Sequence, residues 1–136
     1  MQVTQKNSTT REEVKNVRSI NGLLDELGEL TPNEANNLIK SNNCVVRKRA
    51  IEYADRQSKL ERLLVEEIIA DLIFYSLGDI STEEANKLLL EAGDYNVREM
   101  AIKYADRQTK LARLLVEETS EVIDPILNSL GELTIE

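Results

Sequence analysis

The residues of this 136-residue chain best able to do chemistry are its carboxylates. Glu117-Glu118-Thr119-Ser120-Glu121 spells E-E-x-x-E, and an upstream segment offers Glu66, Glu67 and Asp71. Carboxylate oxygens are hard donors, the kind that Mg²⁺ accepts in small numbers from protein. Other chemistries are closed. There is no histidine and the one cysteine is Cys44, which removes Ser-His-Asp and Cys-His nucleophiles, imidazole or thiolate zinc sites and Glu-x-x-His di-iron bundles. Catalysis would rest on carboxylates, Lys, Arg or Tyr.

The segments LLVEETSEVID and LLVEEIIADLIFYSLG resemble the metal-binding helices of the all-α nucleoside triphosphate pyrophosphohydrolases, the MazG-like group. The resemblance covers about a quarter of the chain and is one of motif and spacing. It implies a Mg²⁺-dependent enzyme in which Glu67, Asp71, Glu117, Glu118 and Glu121 hold the ion over a triphosphate. Glu67 and Asp71 are spaced i,i+4 where that family uses i,i+3, and the two elements come in reversed order. Outside the resemblance the residues name no catalytic group and no cofactor. The same glutamates also suit a solvated helix face.

A second constellation is basic: Arg56, Lys59 and Arg62 recur as Arg107, Lys110 and Arg113, with Arg47-Lys48-Arg49 nearby. Two such clusters on rigid helices could straddle a phosphate backbone, which defines a small nucleic-acid-associated factor as a further alternative. The net charge of −8 opposes it, as do the interleaved Glu52, Asp55 and Glu66 and the scarcity of aromatic stacking partners. Nucleic acid is therefore not the expected partner. The six residues are assigned to an ion-paired interaction surface.

The elements that must position these residues are written twice. Tyr53 to Glu67 reads YADRQSKLERLLVEE and Tyr104 to Glu118 reads YADRQTKLARLLVEE, with two of fifteen positions different. The match extends upstream through Thr31 to Asn36 against Ser81 to Asn86, and through Val46-Arg47 against Val97-Arg98, giving a repeat of about fifty residues. Leu-Gly-acidic recurs at Leu27-Gly28, Leu77-Gly78 and Leu130-Gly131 and marks helix ends, where an αL glycine can close a helix. Thr31-x-x-Glu34 and Ser81-x-x-Glu84 fit capping boxes, with Pro32 at N1. Short helices are predicted at about 32–41 and 82–92, the second ended by Gly93. Asn43 and Asp94 are placed to cap the next helix in each copy.

Long helices are predicted over 46–77 and 97–130, since only Pro125 forces a break, and a kink or bulge is expected there. A wheel of the first collects Ala50, Ala54, Gln57, Leu64, Ile68 and Leu72 as a core stripe, flanked by Tyr53, Leu60 and Val65. The opposite face supplies the pairs Lys48–Glu52, Asp55–Lys59 and Arg62–Glu66. Gln57 and Gln108 fall within the stripe as polar core residues needing partners, and a pairing of the two is conjectured. Tyr53 and Tyr104 are assigned to packing. Glu61 lies on the same stripe, whereas the second copy has Ala112, so the two surfaces are not equivalent.

The expected fold is all-α with about five helices: two tandem short-helix/long-helix repeats packed as a bundle. A flexible tail at 1–10 precedes a single domain at 11–136, divided into a first helix at 11–28, repeat one at 31–80 and repeat two at 81–133. No apolar run approaches the ~20 residues of a membrane span, and Met1 to Thr10 lacks the apolar core of a signal peptide. One cysteine makes a reducing cytoplasm the expected compartment. The function expected from this pattern is non-enzymatic protein–protein interaction or assembly with an unidentified protein partner, including self-association as a homodimer.

Overall fold

Helices account for all the regular structure in the computed structural model, which describes residues 20–132. Nine occur among the described residues, in chain order: α1 over 20–27, α2 Pro32–Leu38, α3 Cys44–Ile51, α4 Arg56–Leu63, α5 Ala70–Leu77, α6 Thr82–Glu91, α7 Tyr95–Ala101, α8 Arg107–Leu114 and α9 Ser120–Leu130. The all-α class agrees with the sequence, but the count of about five does not. The tail expected at 1–10 and positions 11–19 of the first helix lie outside the described residues. Among the described residues no helix is long and apolar enough to cross a membrane.

The short-helix/long-helix unit is not what forms. Residues 31–80 carry α2 to α5 and residues 81–132 carry α6 to α9, because each expected long helix is cut twice. The first cut falls inside YADRQ. Asp55 takes extended backbone and its carboxylate accepts the Ser58 N–H at 2.8 Å, which makes it an N-cap rather than an interior residue. Asp106 does the same with Thr109 at 2.8 Å. An aspartate that bonds the backbone three residues on competes with helix continuation. The second cut comes after LLVEE: buried Glu66 accepts the Ile68 and Ile69 N–H groups at 3.0 and 3.1 Å, and Glu117 accepts that of Thr119 at 3.2 Å. Pro125 lies within α9, which continues through it to Leu130.

The start and stop signals form largely as read. Thr31 with Glu34 and Ser81 with Glu84 make reciprocal capping boxes, with Pro32 in the first turn of α2. Asn43 caps α3 through the Val45 and Val46 N–H groups. Asp94 stands at the start of α7 without a side-chain cap, and Ala92, not Gly93, ends α6. Gly28, Gly78 and Gly131 have φ of 65, 70 and 68°. The ψ of −140° at Gly78 and −133° at Gly131 lie away from αL, in backbone space that glycine reaches most readily.

The described residues fall into two compact units that divide between Ala54 and Asp55. The first buries Leu24, Leu30, Ala35, Ile39, Ala50 and Ile51, drawing on α1, α2 and α3. The second, α4 to α9, is built around Leu63, Ile73, Leu88, Leu89, Val97, Val122 and Ile126. With the helix cut, the wheel over 46–77 loses its phase. Ala50 and Ala54 are buried, but Gln57, Ile68 and Leu72 are exposed, so the stripe is not a continuous core face.

Candidate functional site

In the second unit the repeated charges converge on one buried carboxylate. Arg98 on α7 donates from Nε to Glu117 Oε1 at 2.8 Å and from Nη2 to Oε2 at 3.0 Å. Its Nη1 reaches the Ala92 and Gly93 carbonyls at 3.0 and 3.1 Å. Arg113 on α8 adds a third bond to Glu117 Oε1 at 2.8 Å, and its Nη1 donates to the Leu90 carbonyl at 3.1 Å. Burial works most strongly against the ionised Glu117. The Arg98 bonds, the Thr119 N–H and Arg113 together overcome it and hold the carboxyl down to about 2. A buried bidentate pair with its remaining protons satisfied is the arrangement in which such a charge is tolerable.

The first copy repeats the local parts. Glu66, 1 % exposed, accepts from Arg62 Nε at 2.9 Å, so the expected i,i+4 pair of Arg62 with Glu66 forms as a salt bridge. In the first unit Arg47 is buried and donates to the Ser41 carbonyl at 2.9 Å, as Arg98 does to that of Ala92. The Val-Arg dipeptide that recurs in the sequence is the signal for these two buried arginines.

The remaining basic residues are divided by role. Arg56 holds the end of α5 through the Leu77 and Asp79 carbonyls at 2.9 and 2.8 Å, and clasps Glu84 on α6 with two bonds of 2.7 Å. The Arg56 hydrogen bonds, against some burial, draw the Glu84 carboxyl down to about 2. Arg107 holds the end of α9 in the same way, through the Leu130 and Glu132 carbonyls at 3.1 and 3.2 Å. Lys59 is half-buried, and burial followed by nearby Arg56 lowers its pKa. Lys110 is half-buried on α8. The six basic residues thus do not form one free patch: four are arginines bound to carbonyls or carboxylates within the fold.

The carboxylates suggested by the pyrophosphohydrolase resemblance do not gather. Among the described residues no group of three or more acidic or thiol side chains could hold a metal ion. Glu67, Asp71, Glu118 and Glu121 are exposed, while Glu117 is buried against arginine. An arginine pair occupying both oxygens leaves that carboxylate no face for a cation. Gln57 and Gln108 are likewise not core residues: both are exposed, and Gln57 donates to Glu61 at 3.3 Å. Their expected pairing rested on a helix face that the caps at Asp55 and Asp106 rotate away.

Tyr104 packs as expected, its ring 6.4 Å from Phe74 and its hydroxyl donating to Asp79 at 3.4 Å. A reciprocal pair not foreseen joins α6 to the start of α8: Asn86 Nδ2 donates to Asp106 Oδ2, and the Asp106 N–H donates to Asn86 Oδ1, both at 3.0 Å. The Thr109 backbone N–H first, and then the Thr109 hydroxyl and Asn86, depress the Asp106 pKa.

One cavity of about 420 Å³ opens between α4 and α6, lined by Gln57, Leu60 and Glu61 on one side and by Glu84, Lys87 and Leu88 on the other. Glu61, one of the two positions of the fifteen that differ between copies, lines it together with Lys87. The lining combines two leucines, Leu60 and Leu88, with the charged Glu61, Glu83, Glu84 and Lys87. Comparison with known protein families, curated proteins and solved structures found no match for this chain.

Proposed function

We propose that this chain is a non-enzymatic helical module that acts by protein–protein contact and associates with itself. The observation that carries the reading is the exposure of large apolar side chains: Leu115 is 87 %, Tyr75 78 % and Ile68 74 % exposed. Leu72 and Tyr75 stand three residues apart on one face of α5, and Ile68 lies in the bend just before the helix. Burying a side chain of this size stabilises a contact by roughly 1.5–3 kcal/mol, and such runs on a surface mark interaction sites. These charges, by contrast, are engaged within the fold: buried Glu117 and Glu66 on arginine, exposed Arg56 and Arg107 on helix ends. A cytoplasmic setting suits a chain with one thiol.

Multi-angle light scattering across a micromolar concentration series tests the reading. A mass that rises above one chain supports it. A mass of one chain throughout the series contradicts it.

A further inference from the structure

Within the second unit the outward side of α4, in repeat one, is covered by α6, whereas the same side of α8, in repeat two, is bare. We propose that α8 pairs with α8 of a second chain, antiparallel, about a twofold axis between Leu111 and Ala112. The proposal rests on the self-association reading and names its surface and its symmetry.

Gln108, Leu111, Ala112 and Leu115 stand at i, i+3, i+4 and i+7, one face of α8 and its C-cap. All are exposed, Leu115 to 87 % and Leu111 to 39 %, and none is charged. No residue of α8 itself is buried. The counterparts on α4 are Gln57, Leu60, Glu61 and Leu64. The first three line the cavity shared with α6, and the Leu64 carbonyl accepts the Gly93 N–H at 3.0 Å. Leu60 and Leu64 are accordingly half-buried. Phe74 on α5 is 8 % exposed beside Tyr104 of repeat two, whereas its counterpart Leu127 on α9 is 41 % exposed. The side of repeat one that repeat two covers is thus the side that repeat two itself leaves open among the described residues.

Shape and charge both select a second α8 as the occupant. An antiparallel pair centred between Leu111 and Ala112 sets each Leu111 against the Ala112 of its mate and each Gln108 against Leu115. Large meets small twice, which lets two helices approach closely. Repeat one has Glu61 where repeat two has Ala112, and a glutamate beside the axis would press two like charges together. The substitution that distinguishes the repeats is the one this contact requires.

Lys103 and Arg107 are exposed at the start of α8, and Glu118 and Glu121 are exposed beyond its end. Arg107 donates to the Leu130 and Glu132 carbonyls and has no carboxylate partner among the described residues. Antiparallel pairing brings the basic start of each α8 to the acidic end of its mate, twice, whereas parallel pairing sets like beside like. Because the face is its own complement, the contact is isologous and two chains close the assembly.

Sedimentation velocity and disulfide trapping on the full chain test this. Wild type is expected to reach two chains and stop. Ala112→Glu, at an exposed position, is expected to associate at least about tenfold more weakly because like charges meet at the axis. Tyr75→Asp, on the exposed face of α5, is expected to leave association unchanged. Circular dichroism verifies that both variants keep the fold. In a Cys44→Ser background, Ala112→Cys is expected to link chain to chain under mild oxidation, because a residue beside a twofold axis meets its own copy. Gln108→Cys is expected to link far less, since its two copies stand roughly 10 Å apart along helices that rise 1.5 Å per residue. If wild type associates but Ala112→Glu does not weaken it, or Tyr75→Asp weakens it as much, or the two cysteine variants link equally, the α8 contact is wrong while self-association stands. Growth past two chains likewise overturns the closed contact. A wild type that stays at one chain overturns self-association itself, and the α8 contact with it.

Discussion

Arg98 grips Glu117 with two parallel hydrogen bonds of 2.8 and 3.0 Å across nineteen residues of chain, and both side chains are buried. The relationship ties α7 to the stretch between α8 and α9, and the carboxylate simultaneously accepts from Arg113 and from the Thr119 N–H. Glu117 therefore positions helices.

Glu117→Ala is expected to destabilise the protein by about 3–5 kcal/mol, because it leaves the Arg98 guanidinium buried without its carboxylate. Glu118→Gln, one residue on at an exposed position, is expected to change stability by less than about 0.5 kcal/mol. Urea unfolding midpoints of the two variants check the contrast. Equal, small effects would contradict the buried-pair account.

Acid should unfold the protein through the same residues. Glu117 and Glu84 are held at about 2 in the folded chain, below the ordinary glutamate value of about 4.3 in an unfolded one. The unfolded chain therefore binds more protons between those values, so stability rises with pH across the window. The contribution is fully present above about pH 5 and is lost as pH falls toward 2. Melting temperatures from pH 6 down to pH 2 should drop, and less steeply in Glu117→Gln, which no longer has that proton to take up.

Asp55 begins α4 by accepting the Ser58 N–H. Asp55→Ala is expected to lose at least about 1 kcal/mol, the usual cost of a lost N-cap, and Asp55→Asn to lose less because asparagine caps comparably. Thermal unfolding of the pair distinguishes a cap from an interior helical position, at which neither change would be felt so unequally.

Gly78 closes α5 at φ 70° and ψ −140° with nothing within 4 Å of an added Cβ. Gly78→Ala should nonetheless destabilise by about 1–3 kcal/mol, since the cost is backbone strain rather than a clash. Chemical denaturation reads it directly.

The helical class, both capping boxes and the glycine stops were legible because each rests on local chemistry within four residues. Asp55 and Asp106 were not, because an aspartate with Ser or Thr three residues later reads equally as helix interior and as cap. That one ambiguity merged neighbouring helices into long ones and put Gln57, Gln108, Ile68 and Leu72 on a core face that does not exist. The E-E-x-x-E segment misled for a related reason. Its first glutamate is matched by Arg98, nineteen residues earlier, and no local spacing announces that partner.

Sedimentation velocity of the full chain beside the variant Leu115→Asp reads the self-association most directly. Leu115 is 87 % exposed, so the change leaves the core untouched. Wild type is expected to sediment as more than one chain at micromolar concentration, and Leu115→Asp to associate about tenfold more weakly. A wild type that stays at one chain throughout would contradict the account.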